Sequence, residues 1–175
     1  MASTHIELNP VKSITTGFIG QPGKRVFYIQ AHGSREVVTL IVEKQQVEAL
    51  ATSIETFLEE LHEKFPALVE ASASFDPAAM TLTLPLDPAF RVGQLGLGYD
   101  EERDLLVLMA QEIAVEGREP EAGGSARLFA SRAQMRALGA YGLTLVKQGR
   151  PICGNCGQPI DPAGHFCPRR NGHKH

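Results

Sequence analysis

Alternating apolar and polar residues give way to a helical pattern twice along this chain, in the same order each time. Residues 38–51 read Val38-Thr-Leu-Ile-Val-Glu-Lys-Gln-Gln-Val-Glu-Ala-Leu-Ala51, and residues 126–139 read Ala126-Arg-Leu-Phe-Ala-Ser-Arg-Ala-Gln-Met-Arg-Ala-Leu-Gly139. Without gaps, each gives a short strand, a basic residue (Lys44, Arg132), a shared glutamine (Gln46, Gln134), then apolar, charged, Ala, Leu and a small residue. The first helix carries Val47, Leu50, Ala51, Ile54, Phe57, Leu58 and Leu61 on one stripe. The second carries Met135, Leu138, Gly139, Gly142, Leu145 and Val146 at the same offsets, the spacing of a buried face. Gly139 and Gly142 each lower helix propensity by about 1 kcal/mol relative to Ala. On an inward face, they predict a neighbour packed very close.

Each helix is preceded by a hairpin-like pair. Residues 15–20 and 25–31 are β-prone runs split by Gln21-Pro-Gly-Lys24, and residues 90–98 and 104–113 flank Tyr99-Asp-Glu-Glu-Arg103. The pattern predicts an α+β fold. Two strand–strand–strand–helix repeats, about 13–65 and 90–149, would build an antiparallel sheet with helices on one face. Residues 1–149 form one duplicated domain in this reading, with a Pro- and Ala/Ser-rich linker at 66–89. Residues 80–86 read as an added edge strand, where proline is tolerated. Residues 117–125 read as a Gly-rich loop, and Gly149 and Pro151 stop the second helix.

Composition fits one soluble domain with an appendage: 43% hydrophobic and 21% charged residues in 175. No apolar run approaches the ~18–20 residues needed to cross a bilayer. The polar first 12 residues lack a hydrophobic secretory segment, so the cytoplasm is expected and no membrane partner. Charge is uneven. Residues 147–175 carry five basic side chains and one acid, +4, so with a chain total of −3 the preceding residues carry −7.

All three cysteines lie in that basic segment, as Cys153-Gly-Asn-Cys156-Gly157 and, after ten residues, Cys167-Pro168. Zinc takes soft thiolate or imidazole ligands in a tetrahedron, and Cys-x-x-Cys followed by Gly places two sulfurs on one ion through a tight turn. Residues 150–175 resemble a zinc ribbon, with Gly164-His-Phe-Cys-Pro168 in the place of the second knuckle. The fourth ribbon ligand is replaced by Arg170, which binds no metal. His165, two residues before Cys167, is the favoured replacement, and His173 is the alternative. Three cysteines leave one over from any disulfide, and this Cys-x-x-Cys sits among Gly and Pro rather than opening a helix. The expected ligands are therefore Cys153, Cys156, His165 and Cys167, closing a structural zinc site. Arg150, Arg169, Arg170 and Lys174 are the candidates for anion or nucleic-acid contact, without the aromatic residues that single-strand binders stack on bases.

Other motifs fail on spacing. Residues 17–24 lack the second glycine and the Ser/Thr of a phosphate loop and read as a hairpin turn. Gly93, Gly96 and Gly98 stand in the wrong order for a dinucleotide fingerprint and read as positions of close sheet packing. His32 and His62 read as loop and helix-surface residues, and Ser34, Ser125 and Ser131 have no evident His/Asp partner. Lys44/Gln46 and Arg132/Gln134 raise a pseudo-symmetric anion or peptide site between the helices, against exposed first-turn residues as the simpler reading.

Residues 17–27, Glu43-Lys-Gln-Gln-Val47, Phe90-Arg-Val-Gly93, Leu97-Gly-Tyr-Asp100, Gly149-Arg-Pro151 and Cys167-Pro-Arg-Arg-Asn-Gly172 together resemble a bacterial family still labelled as a domain of unknown function. The resemblance spans nearly the whole chain and implies a cytoplasmic bacterial protein with a Cys-x-x-Cys, His-x-Cys tail, which supports His165 over His173. It implies no activity. The leading expectation is a non-enzymatic zinc-binding adaptor with a protein partner. The alternatives are an enzyme or enzyme subunit with its site between the repeats, and a nucleic-acid accessory factor using the basic tip.

Overall fold

The computed structural model describes residues 4–119 and 122–148. Seven strands form one mixed sheet: β1 (His5–Leu8), β2 (Ser13–Ile19), β3 (Val26–His32), β4 (Val37–Val42), β5 (Pro88–Asp100), β6 (Leu105–Glu112) and β7 (Ser125–Ser131). Helix α1 (Lys44–Lys64) follows β4 and helix α2 (Arg132–Lys147) follows β7. The α+β class holds, and a single sheet answers the pattern. The antiparallel expectation is corrected: in the order β1-β7-β6-β5-β4-β3-β2, the pairs β4/β5 and β1/β7 are parallel. The physical reason is the crossover. After β4 the chain returns along α1 before entering β5, and a helical return delivers the next strand in the same direction.

The two edges of this sheet are joined by a short link. Only residues 9–12 separate β1 from β2, and that stretch spans at most about 18 Å. A flat sheet would hold strands six spacings apart at about 29 Å. The sheet must curl, and the backbone shows where. Val11 N–H donates to Phe129 O of β7 at 2.8 Å, while the next residue, Lys12, donates to His32 O of β3 at 2.7 Å. Two successive amides thus bridge the strands second from either edge and draw the sheet toward a barrel at this end.

Helix stripes land as their spacing requires. Val47, Leu50, Ala51, Ile54 and Leu61 of α1 are buried, Phe57 and Leu58 half-buried, and all six inward positions of α2 are buried. The neighbour of the inward glycines is α1. A Cβ on Gly139 would lie 3.2 Å from Ala51 Cα, and one on Gly142 would lie 2.7 Å from Val47 Cγ1 and 3.4 Å from Thr16 Cγ2. With Arg136 bonded to Glu55, these contacts make the helices antiparallel. They also seat α2 on β2. At the far end of α2, Arg25 lies over the Phe18 ring at 4.7 Å and donates to the Leu145 carbonyl, a cation at the negative end of the helix. Arg25 follows the turn read from Gln21-Pro-Gly-Lys24, where Gly20 and Gly23 take the left-handed φ values 110° and 86°.

The opposite face of β2–β4 is covered by residues 77–85. The edge strand expected at 80–86 is not formed. Pro77–Met80 is a short 3-10 helix capped by the Asp76 carboxylate, which accepts from Ala78 N–H at 3.0 Å. The residues after it lie across the sheet rather than along its edge and are held by side chains. Fully buried Gln30 accepts from Thr83 N–H at 2.7 Å and donates to Thr83 O and Thr39 Oγ1, each at 3.1 Å. Thr15 donates to Met80 O at 2.6 Å, and Leu82 lies over Gly17.

The helix contact generates a stability prediction. Gly142→Ala gains helix propensity but forces a methyl against Val47, a buried β-branched side chain with one strongly preferred rotamer in a helix. Overpacking outweighs propensity, so denaturant unfolding will show a loss of about 1–2 kcal/mol. A stabilised variant would show that the glycine does not set the helix spacing.

Candidate functional site

The first turn of α2 is closed by a capping box. Ser131 Oγ accepts from Gln134 N–H at 3.0 Å, and Gln134 Oε1 accepts from Ser131 N–H at 2.8 Å. From this fixed turn Arg132 and Arg136, four residues apart, project from the same side of the helix. Arg132 grips the Asp104 carboxylate with both prongs, Nε to Oδ1 at 2.9 Å and Nη2 to Oδ2 at 3.1 Å, and donates Nη1 to Val69 O at 2.6 Å. Arg136 donates Nε to Glu55 at 2.9 Å and Nη1 to Ala71 O at 2.8 Å, with Glu70 at 3.5 Å. The two guanidiniums hold the chain between α1 and β5 by its carbonyls.

Asp104 sits in the β5–β6 turn with φ 52°, a left-handed conformation for which Asp is among the better tolerated residues. Its carboxylate also accepts from Tyr99 OH at 2.7 Å, and the Tyr99 ring meets Phe65 at 5.9 Å between centroids. The Arg132 hydrogen bond holds the Asp104 carboxyl below its ordinary range. Burial, then the hydrogen bond to Asp104, pushes Tyr99 up to about 12. Bonding to their carboxylates raises Arg132 and Arg136 as well.

These contacts border a cleft of about 480 Å³ between the C-terminal half of α1, residues 68–71 and the start of α2. Its floor includes Leu58, Leu61 and Leu68, and its rim carries Glu55, Glu59, Glu63, Glu70 and His62. Four carboxylates against two arginines already bonded to carboxylates and carbonyls make it a poor anion site. The pseudo-symmetric site is corrected for a second reason: antiparallel packing puts Lys44 and Arg132 at opposite ends of the helix pair. The glutamines have other work. Gln46 accepts from Glu43 N–H at 2.7 Å and donates to Val92 O at 3.2 Å, while Gln134 donates to Lys12 O at 3.1 Å.

Cys153, Cys156, His165, Cys167 and the alternative His173 lie outside the described residues, as do Arg150, Arg169, Arg170 and Lys174. Among the described residues no group of three or more His, Cys, Asp or Glu is arranged to hold a metal ion. No helix among them is long and apolar enough to cross a membrane. Ser125 does have a histidine beside it: His5 Nδ1 lies 2.8 Å from its Oγ across the β1/β7 pair. The 120-residue separation hid this from sequence reasoning, and Arg132–Asp104 was hidden likewise by 28 residues. Gly93 does permit close packing, since a Cβ there would lie 2.8 Å from Ile113 Cα.

A curled seven-stranded mixed sheet with two antiparallel helices on one face and a strap on the other defines an α+β domain. The chain belongs to the family described as "Protein of unknown function (DUF3090)", which matches residues 6–167. No curated protein matches the chain, and no solved structure matches it.

The Tyr99–Asp104–Arg132 chain yields a titration test. Tyrosinate absorbance should show one residue ionising near 12, absent from Tyr99→Phe. Asp104→Asn will move it toward, but not to, 10.0, because burial remains. The raised folded value means that Tyr99 contributes stability below pH 10, lost as pH climbs to about 12. Asp104, held low, contributes above its ordinary range and loses that contribution as the solution is acidified. Unchanged tyrosine titration in Asp104→Asn would contradict the coupling.

Proposed function

We propose that the protein is a non-enzymatic, cytoplasmic partner-binding protein whose C-terminal segment holds one structural zinc ion through Cys153, Cys156, His165 and Cys167. The observation that carries this is the ligand set itself. Every cysteine of the chain falls within residues 153–167, as Cys-x-x-Cys and His-x-Cys, beside a body that has none. Four protein ligands leave zinc no open place for water, which is the structural form of the site. A short segment with few apolar residues gains its folding energy from the metal, roughly 10–16 kcal/mol of apparent binding.

The non-enzymatic reading draws on the cleft between the helices. Its arginines are matched to Asp104, Glu55 and Glu70, an arrangement that serves to hold residues 68–71 in place. An internal duplication at an offset of 88 residues belongs to the same proposal. Leu40 pairs with Phe90 in parallel, as Leu128 pairs with Leu8, and Gln46 and Gln134 each tie a helix start to the chain beside the preceding strand.

Metal analysis by mass spectrometry on the full chain, purified without an affinity-tag metal, is expected to give one zinc per chain. His165→Ala will lose or weaken it and His173→Ala will keep it. Cys156→Ser will release it while the body unfolds at the wild-type temperature. Tight zinc in Cys156→Ser would show the ligand set to be wrong. Tight zinc in both histidine variants would mean a water-completed site and move catalysis forward.

A further inference from the structure

β4 and β5 share only a short ladder, Thr39 to Ile41 against Pro88 to Arg91. β4 ends at Val42, where the chain turns into α1, yet β5 runs on for nine residues to Asp100. β6 occupies one side of that extension through Asp100↔Leu105. On the side β4 has left, the Gln46 amide takes the Val92 and Gly93 carbonyls at 3.2 and 3.4 Å. From Gln94 to Asp100, no described backbone group pairs on that side. Unpaired strand N–H and C=O groups are a template for another strand.

Helix α1 turns this edge into a groove. It runs along β5, from Gln46 beside Val92 to Phe65 against Tyr99. Between them lies a hollow of about 410 Å³, lined by Ser53, Thr56, Phe57 and Glu60 of α1 and by Leu95 and Leu97 of β5. Gly96 and Gly98 stand in the same edge, and the fold does not require glycine at either. A Cβ would make only ordinary contact, with the Met109 methyl at 3.7 and 3.5 Å. Glycine inside a strand weakens it, and one reason to keep it there is close approach by another backbone.

We infer that this groove receives an extended segment of a partner protein, added as a strand to the free side of β5 beneath α1. Side chains pointing under α1 would meet Leu95, Leu97 and Phe57, so apolar or β-branched residues fit at alternate positions. Glu60 in the groove, and Asp100, Glu101 and Glu102 beyond its end, call for Lys or Arg on the segment. A second copy of the chain presenting its own β5 would bring its own α1 against the α1 that roofs the groove. A separate basic strand avoids this crowding. The surface lies within residues 46–102 and uses no zinc ligand, so Cys156→Ser leaves it intact and the two readings fail independently.

The test is amide hydrogen exchange on the full chain, with a heptapeptide of alternating valine and threonine bearing lysine at both ends as probe. In the free protein every second amide from 94 to 100 exchanges fast, and saturating peptide slows those amides by about tenfold or more. Ser53→Trp and Thr56→Trp, which fill the groove from exposed positions, weaken binding by about tenfold, as does glutamate in place of the peptide lysines, while Ser53→Ala leaves it unchanged. Uniform protection of 94–100 in the free protein, no protection by peptide at millimolar concentration, or undiminished binding in both tryptophan variants would overturn the assignment. Protection that rises with protein concentration alone would give the groove to a second copy and overturn it equally.

Discussion

The approach of α2 to α1 and β2 through Gly139 and Gly142 is the constraint around which the molecule is arranged. These positions bring helix backbone to within van der Waals contact of Ala51, Val47 and Thr16. Because α2 ends the described body and β2 lies near its start, the contact ties together elements near the two ends of that body. It also fixes the antiparallel helix pair, so that Arg136 falls opposite Glu55 and Arg132 reaches the turn holding Asp104. A bulkier residue at 142 would push apart a helix and a strand distant in sequence, which is why low local propensity is tolerated there.

Curling the sheet follows from the same economy. A four-residue link between β1 and β2 demands that the edges approach, and Val11 and Lys12 use their amides to bridge β7 and β3. Where β4 leaves for α1 the sheet has the opposite character, with β5 continuing past β4, paired with β6 on one side only. One end of the sheet is therefore closed by backbone hydrogen bonds, and the middle carries an open strand side roofed by α1.

Features set by local spacing were legible in the amino-acid sequence. Both helix stripes, the inward glycines and the turn at Gln21-Pro-Gly-Lys24 depend on residues within a few positions of one another. Strand pairing does not, so the parallel β4/β5 and β1/β7 pairs escaped, as did β1, a four-residue strand too short to show a period. Residues 80–86 alternate like a strand, yet Gln30 and Thr15 bind their backbone by side chains, so the segment lies across the sheet instead of joining it. Arg132 and Asp104 were invisible as partners because nothing local marks a charge pair made across a turn and a helix start. The cysteines were the reverse case: the zinc chemistry expected of them rests on spacing alone, and they lie outside the described residues.

The proposed function turns on residues 153–167, where a bound zinc ion would show its coordination shell directly. X-ray absorption at the zinc edge of the full chain is the deciding measurement. Three sulfurs at about 2.3 Å and one nitrogen at about 2.0–2.1 Å are expected. A shell of oxygen and nitrogen without sulfur, or protein carrying no zinc, would contradict a knuckle built from Cys153, Cys156, His165 and Cys167.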